Sequence, residues 1–104
     1  MKTVTNQPSS KTLSSLMDLR GRVAVITGGA GHLGQQMASA MAELGASICL
    51  VDRNTKALEA AVNSLAKSWQ IDAYGIVIDL EEENARETLP QQVKARFGRV
   101  DILV

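Results

Sequence analysis

Residues 23–34 read Val23-Ala24-Val25-Ile26-Thr27-Gly28-Gly29-Ala30-Gly31-His32-Leu33-Gly34. An apolar, β-branched run with no polar alternation leads straight into a cluster of glycines. Beyond it Leu33, Met37, Ala40, Met41 and Leu44 recur on one face of a helix, and Gly45 supplies its stop. The order is therefore strand, glycine turn, helix. A strand that is apolar on both faces belongs in a parallel sheet covered by helices.

The same alternation continues downstream. Further apolar runs fall at Ile48 to Val51, Tyr74 to Ile78 and Ile102 to Val104. The second helix carries Leu58, Ala61, Val62, Leu65 and Trp69 on one face, with Asn54 as its N-cap. A third opens with Glu81, Glu82 and Glu83 at the positive end of its dipole and closes with Arg96 before Gly98. Its apolar face is Ala85, Leu89, Val93 and Phe97. Pro90 lies inside it, lacks an N–H and clashes with the carbonyl of Arg86, which predicts a break or kink near Leu89. Short strands alternating with helices spell βαβ units, an α/β fold.

Composition narrows the class. The 104 residues carry 11 basic and 11 acidic side chains, so no net charge draws the chain to nucleic acid or to anionic lipid. No apolar run reaches the ~18 residues that span a bilayer. The single cysteine, Cys49, excludes a disulfide scaffold and fits a reducing compartment, with the cytoplasm as the expected location. Residues 1–20 are rich in Ser, Thr, Asn and Gln and lack the apolar core of a secretory signal; they read as a flexible leader, with a transit peptide as the lesser alternative. Residues 21–104 form the expected folded unit.

The glycine turn carries the chemistry. Gly29-Ala30-Gly31-His32-Leu33-Gly34 satisfies G-x-G-x-x-G, in which glycines admit a pyrophosphate to the backbone and a helix N-terminus offers it unpaired N–H groups. Alone it is equally a tight turn that binds nothing. Asp52, 18 positions after Gly34, closes the second strand near the spacing at which an acid accepts from adenosine ribose hydroxyls. Asp79 closes the third. Each acid taken singly reads equally well as a helix cap or a solvated carboxylate. Together, the three strand ends aim a glycine turn and two acids at the edge where open α/β sheets bind ligands.

These residues resemble the short-chain dehydrogenase/reductase family. The likeness is carried by Asp18 to Gly29, the turn to Gly34, Val51-Asp52-Arg53, Ile78-Asp79-Leu80 and Phe97 to Val104, spanning residues 18–104. It implies a Rossmann-like doubly wound parallel sheet of strand order 3-2-1-4, a nicotinamide dinucleotide, and hydride transfer between it and an alcohol or carbonyl substrate. Gly28, Gly31, His32, Leu33 and Gly34 would line the pyrophosphate, Asp52 the adenosine ribose, and Asp79 with Leu80 the adenine. One departure stands out: His32 occupies the middle glycine of the T-G-x-x-x-G-x-G pattern of the single-domain branch. The turn fits T-G-x-x-G-x-x-G, like the extended branch, while Phe97 to Val104 looks like the single-domain one. The branch stays open. His32 reads as a turn residue lending its backbone N–H, its ring toward phosphate, and not as a catalytic base.

NAD is the expected cofactor. A carboxylate at Asp52 about 4 Å from a 2′-phosphate would cost roughly 4 kcal/mol at an effective dielectric near 20. Arg53, next to it, keeps NADP as the lesser alternative. The family's Tyr-x-x-x-Lys pair is absent: the one tyrosine, Tyr74, is followed four positions on by Ile78. No catalytic residue is thus assigned, and the chain reads as the cofactor-binding front half of an oxidoreductase, inactive alone, cut after the fourth strand. An apolar sheet edge left open there predicts a homo-oligomer. Cys49 reads as buried core, and Glu81 to Glu83, with no histidine near, as a helix start and not a metal site. The competing classes are a free-standing nucleotide-binding or regulatory module, and an S-adenosylmethionine-dependent methyltransferase.

Overall fold

The computed structural model describes residues 17–104, so the leader and targeting expectations for residues 1–16 lie outside the described residues. The elements run β1 (Val23–Thr27), α1 (His32–Glu43), β2 (Ser47–Asp52), α2 (Thr55–Trp69), β3 (Ala73–Val77), α3 (Glu83–Phe97) and β4 (Ile102–Leu103). The strands form one sheet in the order β3-β2-β1-β4, every neighbouring pair parallel. Val25 stands opposite Cys49, and Cys49 opposite Tyr74.

Why these strands are apolar throughout is visible in the core, which has two layers. Ala24, Ile26, Ile48 and Leu50 face Ala38 and Ala42 of α1 and Leu58, Ala61 and Leu65 of α2. The intervening Val25, Cys49 and Val51 face the other way, against Leu89 and Val93 of α3. Alternate side chains thus enter alternate layers, and neither face can be polar. Ile26, Ile48 and Leu50 are fully buried, each contributing about 1.5–3 kcal/mol of apolar transfer.

The buried face of helix α1 overlaps only in part the one its large residues predict, Met37 and Met41 packing against the core as expected. Leu33 is 69% exposed and Ala40 is exposed, whereas Ala38 and Ala42 are buried and Met37 and Met41 half-buried. Small side chains at Gly34, Ala38 and Ala42 bring the helix onto the sheet: a Cβ at Gly34 would run into the Gly28 carbonyl oxygen. Close approach outweighs side-chain size here. Gly45, with φ +98°, ends the helix, its N–H donating to Ala42 O at 2.9 Å.

Asn54 caps α2, its Oδ1 accepting the Ala57 N–H at 3.0 Å. Trp69 sits at the rim instead of in the core, its indole N–H donating to Ser39 Oγ at 2.9 Å. Helix α3 begins at Glu83, two residues later than expected, and continues through Pro90. The expected break at Leu89 is absent because Leu89 and Val93, on either side of the exposed Pro90, are both buried against the sheet. Packing holds the helix together although the Arg86 carbonyl loses its ordinary donor.

The packed region reaches upstream of Gly21. Leu19 N–H donates to Leu44 O at 2.8 Å, and its side chain meets the α1–α2 core. Short β4 is fixed at both ends: Thr27 Oγ1 donates to Val104 O at 2.8 Å, and Asp101 Oδ2 accepts the Val23 N–H at 2.8 Å.

Candidate functional site

The ends of β1, β2 and β3 open onto a cleft of about 350 Å³ lined by Gly28, Val51, Asp52, Arg53, Ile78, Asp79, Leu80 and Glu81. Parallel pairing puts it there, since each strand finishes at the same edge. Four of the residues expected from sequence, Asp52, Arg53, Asp79 and Leu80, meet Gly28 in this one depression.

The glycine turn reaches the cleft through Gly28. Gly28 has φ +65°, a conformation that favours glycine, and a Cβ there would meet nothing within 4 Å, so the position faces open space. Gly29 is held to Val51 O and Gly31 to Gly28 O, both at 3.0 Å. The first helical bond of α1 is Gln35 N–H to Gly31 O, at 2.9 Å. The amides of His32, Leu33 and Gly34 therefore have no acceptor within the helix. Gly31, the N-cap, supplies no side-chain cap, and the first turn carries no acid. Such an end attracts an anion through its N–H groups and dipole.

Asp52 does two things at once. Its Oδ2 accepts the Ala30 N–H at 3.0 Å and its Oδ1 the Asn54 N–H at 3.1 Å, so the carboxylate braces the glycine turn and the entry to α2. Asp79 Oδ1 accepts the Glu81 N–H at 2.9 Å, bracing the turn before α3 without capping the helix, which starts at Glu83. The Leu80 carbonyl accepts from Arg86 at 3.1 Å. Arg53 is exposed and forms no ion pair among the described residues.

Gly31, His32, Leu33 and Gly34 lie on the turn and the start of α1, outside the cleft lining. The His32 ring turns along the helix, its Nε2 3.2 Å from Gln36 Nε2, and borders a hollow between α1 and α2. Val51 and Ile78, which line the cleft, and Gln35, whose Nε2 donates to Ala30 O at 2.8 Å, were not singled out by spacing. The position of Val51 and Ile78 beside the two acids was the available signal. Gln35 offers none, because a side-chain bond to a turn carbonyl has no sequence period.

Charge elsewhere is structural. Arg99, then the Val23 N–H, holds the Asp101 carboxyl below the usual carboxylate range at the opposite end of the sheet. Burial pushes the Cys49 thiol up to about 11, as expected of a core residue. Among the described residues no group of three His, Cys, Asp or Glu could hold a metal ion, and no helix is long and apolar enough to cross a membrane.

Known proteins share this arrangement. Residues 22–104 match the family model described as short chain dehydrogenase. Peroxisomal 2,4-dienoyl-CoA reductase of Arabidopsis thaliana is 35% identical over 86 residues, which are 83% of this chain and 28% of that protein. Among solved structures, NAD+-bound xylitol dehydrogenase is 34% identical with a TM-score of 0.79, over 82% of this chain and 32% of that one. L-Sorbose reductase from Gluconobacter frateurii, complexed with NADPH and L-sorbose, is 32% identical with a TM-score of 0.80, over 84% and 33%. The chain thus spans about a third of the length of these relatives. The matching family model, the parallel sheet of order 3-2-1-4 and the glycine turn at its edge agree, and the chain belongs to the short-chain dehydrogenase/reductase family.

Proposed function

We propose that residues 21–104 are the dinucleotide-binding half of an oxidoreductase that moves a hydride between NAD and an alcohol or carbonyl substrate. The observation that carries the reading is the convergence of the uncapped N-terminus of α1 with Asp52 and Asp79 at one sheet edge. Gly28, Gly31 and Gly34 keep the backbone free of side chains, and the amides of His32, Leu33 and Gly34 hold the pyrophosphate. Asp52 accepts from the adenosine ribose, with lone pairs remaining on both oxygens beside its two backbone donors. Asp79 and Leu80 flank the adenine. The residues fit such a group: Gly28 faces open space, and the amides of His32, Leu33 and Gly34 have no acceptor among the described residues.

When bound, the nicotinamide supplies the hydride chemistry. This chain's part is to bind and orient. Its one tyrosine, Tyr74, is on the edge strand β3, away from the cleft, and Ile78 stands where a lysine would lower a phenol's pKa. No acid–base residue for that step is assigned within residues 1–104.

NAD is preferred over NADP because a 2′-phosphate would sit against the Asp52 carboxylate; Arg53 is the residue that would soften that repulsion. A cytoplasmic location rests on the lone buried thiol of Cys49. Calorimetric titration tests the central reading: NAD+ should bind more tightly than NADP+, and binding of S-adenosylmethionine alone would overturn it in favour of a methyltransferase.

A further inference from the structure

His32 is the one histidine of the sequence, and it opens α1 directly after the glycine turn. Residues 27–44, the turn and the helix it leads into, hold no lysine or arginine and a single acid, Glu43, at the far end of the helix. A protonated His32 is therefore the one side-chain cation that this segment can offer to an anion held on the amides of His32, Leu33 and Gly34.

The surroundings leave the ring free to change charge. It is exposed and forms no ion pair among the described residues. Its Nε2 lies 3.2 Å from Gln36 Nε2. A terminal amide turned over presents its oxygen in place of its nitrogen, so Gln36 serves the neutral ring as donor and the protonated ring as acceptor. The hollow that the ring borders is completed on the α2 side by Ser64, Ser68 and Trp69, and the charged residues of α2, Lys56, Glu59 and Lys67, are not in its lining. In the cleft stand Asp52, Arg53, Asp79 and Glu81. Carboxylates and guanidinium groups ordinarily keep a constant charge from about pH 5.5 to 8, the interval in which histidine ordinarily changes its own. The α1 dipole alone works against a proton at the helix N-terminus. A pyrophosphate on the neighbouring amides reverses that sign, since its negative charge then stands one side-chain length from the imidazole. Two unit charges about 6 Å apart at an effective dielectric near 40 shift an equilibrium about tenfold, and salt reduces the shift.

We propose that His32 couples dinucleotide binding to the uptake of a proton, its imidazolium facing the pyrophosphate charge, so that affinity rises as the solution becomes more acidic. The proposal rests on the dinucleotide reading of the cleft. The pyrophosphate carries the same charge in the oxidised and the reduced cofactor, so both forms take up this proton.

The test titrates the full-length protein and its His32→Gln and His32→Lys variants with NAD+ at about pH 5.5 and about pH 8, by calorimetry in buffers of different ionisation heat so that proton uptake is read along with affinity. Position 32 is exposed, both variants keep the backbone amide, and Gln is neutral and Lys charged at either pH. The parent should bind NAD+ roughly three- to tenfold more tightly at the acid pH, taking up protons as it does so. Both variants should change by less than about twofold between the two pH values, and at the alkaline pH Lys should bind more tightly than Gln. A parent of equal affinity at the two pH values, a Gln variant that keeps the parent's dependence, or a Lys variant no tighter than Gln at the alkaline pH would each overturn the coupling while leaving the dinucleotide reading in place. A parent that binds no NAD+ at either pH would overturn the dinucleotide reading itself, and the coupling with it.

Discussion

Asp52 Oδ2 lies 3.0 Å from the backbone nitrogen of Ala30, so the acid that ends β2 also holds up the glycine turn that ends β1. Recognition and scaffold share one carboxylate. Asp52→Ala should therefore weaken both NAD+ and NADP+ by loosening the turn, yet cost NAD+ more, because only the free ribose diol loses an acceptor. The difference should be about 1–2 kcal/mol, read as a ratio of the two Kd values by calorimetry. Equal losses would refute the ribose role.

Gly34 has no room for a side chain. Its Cβ would run into the Gly28 carbonyl, which is backbone and cannot move aside cheaply. Gly34→Ala should cost about 2–3 kcal/mol of stability and lower the urea midpoint, by the logic of overpacking. Gly31→Ala, whose nearest contact is the Gly28 oxygen at 3.3 Å, should cost less. The reverse ranking would contradict the close approach of α1 to the turn.

Helix α3 carries Pro90 on its exposed face without breaking. Pro90→Ala returns a donor to the Arg86 carbonyl and should raise stability by about 1–3 kcal/mol, measured as a rise in Tm. A fall would mean that the proline shapes the contact of Leu89 and Val93 with the sheet.

Asp101 ties β4 to β1 through the Val23 N–H and pairs with Arg99. Its carboxyl is held below its ordinary value, so the stabilisation is present above about pH 4 and is lost as pH falls through the folded value. Asp101→Asn should be less stable at neutral pH and show a flatter decline below pH 4. An acid profile parallel to that of the parent would contradict this.

Cys49 is fully buried, and burial pushes its thiol up to about 11. The unfolded thiol ionises near 8.5, so this contribution is intact below that pH and fades as pH rises toward 11. At pH 8 a disulfide reagent should label Cys49 only as fast as the protein opens. Immediate labelling of the native protein would place the thiol at the surface.

The strands were legible because burial on both faces writes itself as continuous apolar runs. Asp52 and Asp79 were legible because parallel pairing ends neighbouring strands together, so position along the chain translates into position at one edge. The buried face of α1 was legible only in part: Met37 and Met41 pack on the core as expected, while close packing buries Ala38 and Ala42 and leaves Leu33 exposed. Pro90 does not end the helix for a related reason: a local penalty is overruled by burial of its neighbours. The roles of Gln35 and Asp101 rest on hydrogen bonds from side chain to backbone, which leave no period in the sequence.

The central claim is that the cleft at the ends of β1, β2 and β3 holds a dinucleotide. Amide chemical shifts followed during an NAD+ titration test it most directly. The account predicts saturable shifts concentrated at Gly28, Gly31, His32, Leu33, Gly34, Asp52, Arg53, Asp79 and Leu80, with Asp101 and the start of β4 unmoved. Shifts absent from these positions, or centred on the hollow between α1 and α2, would contradict it.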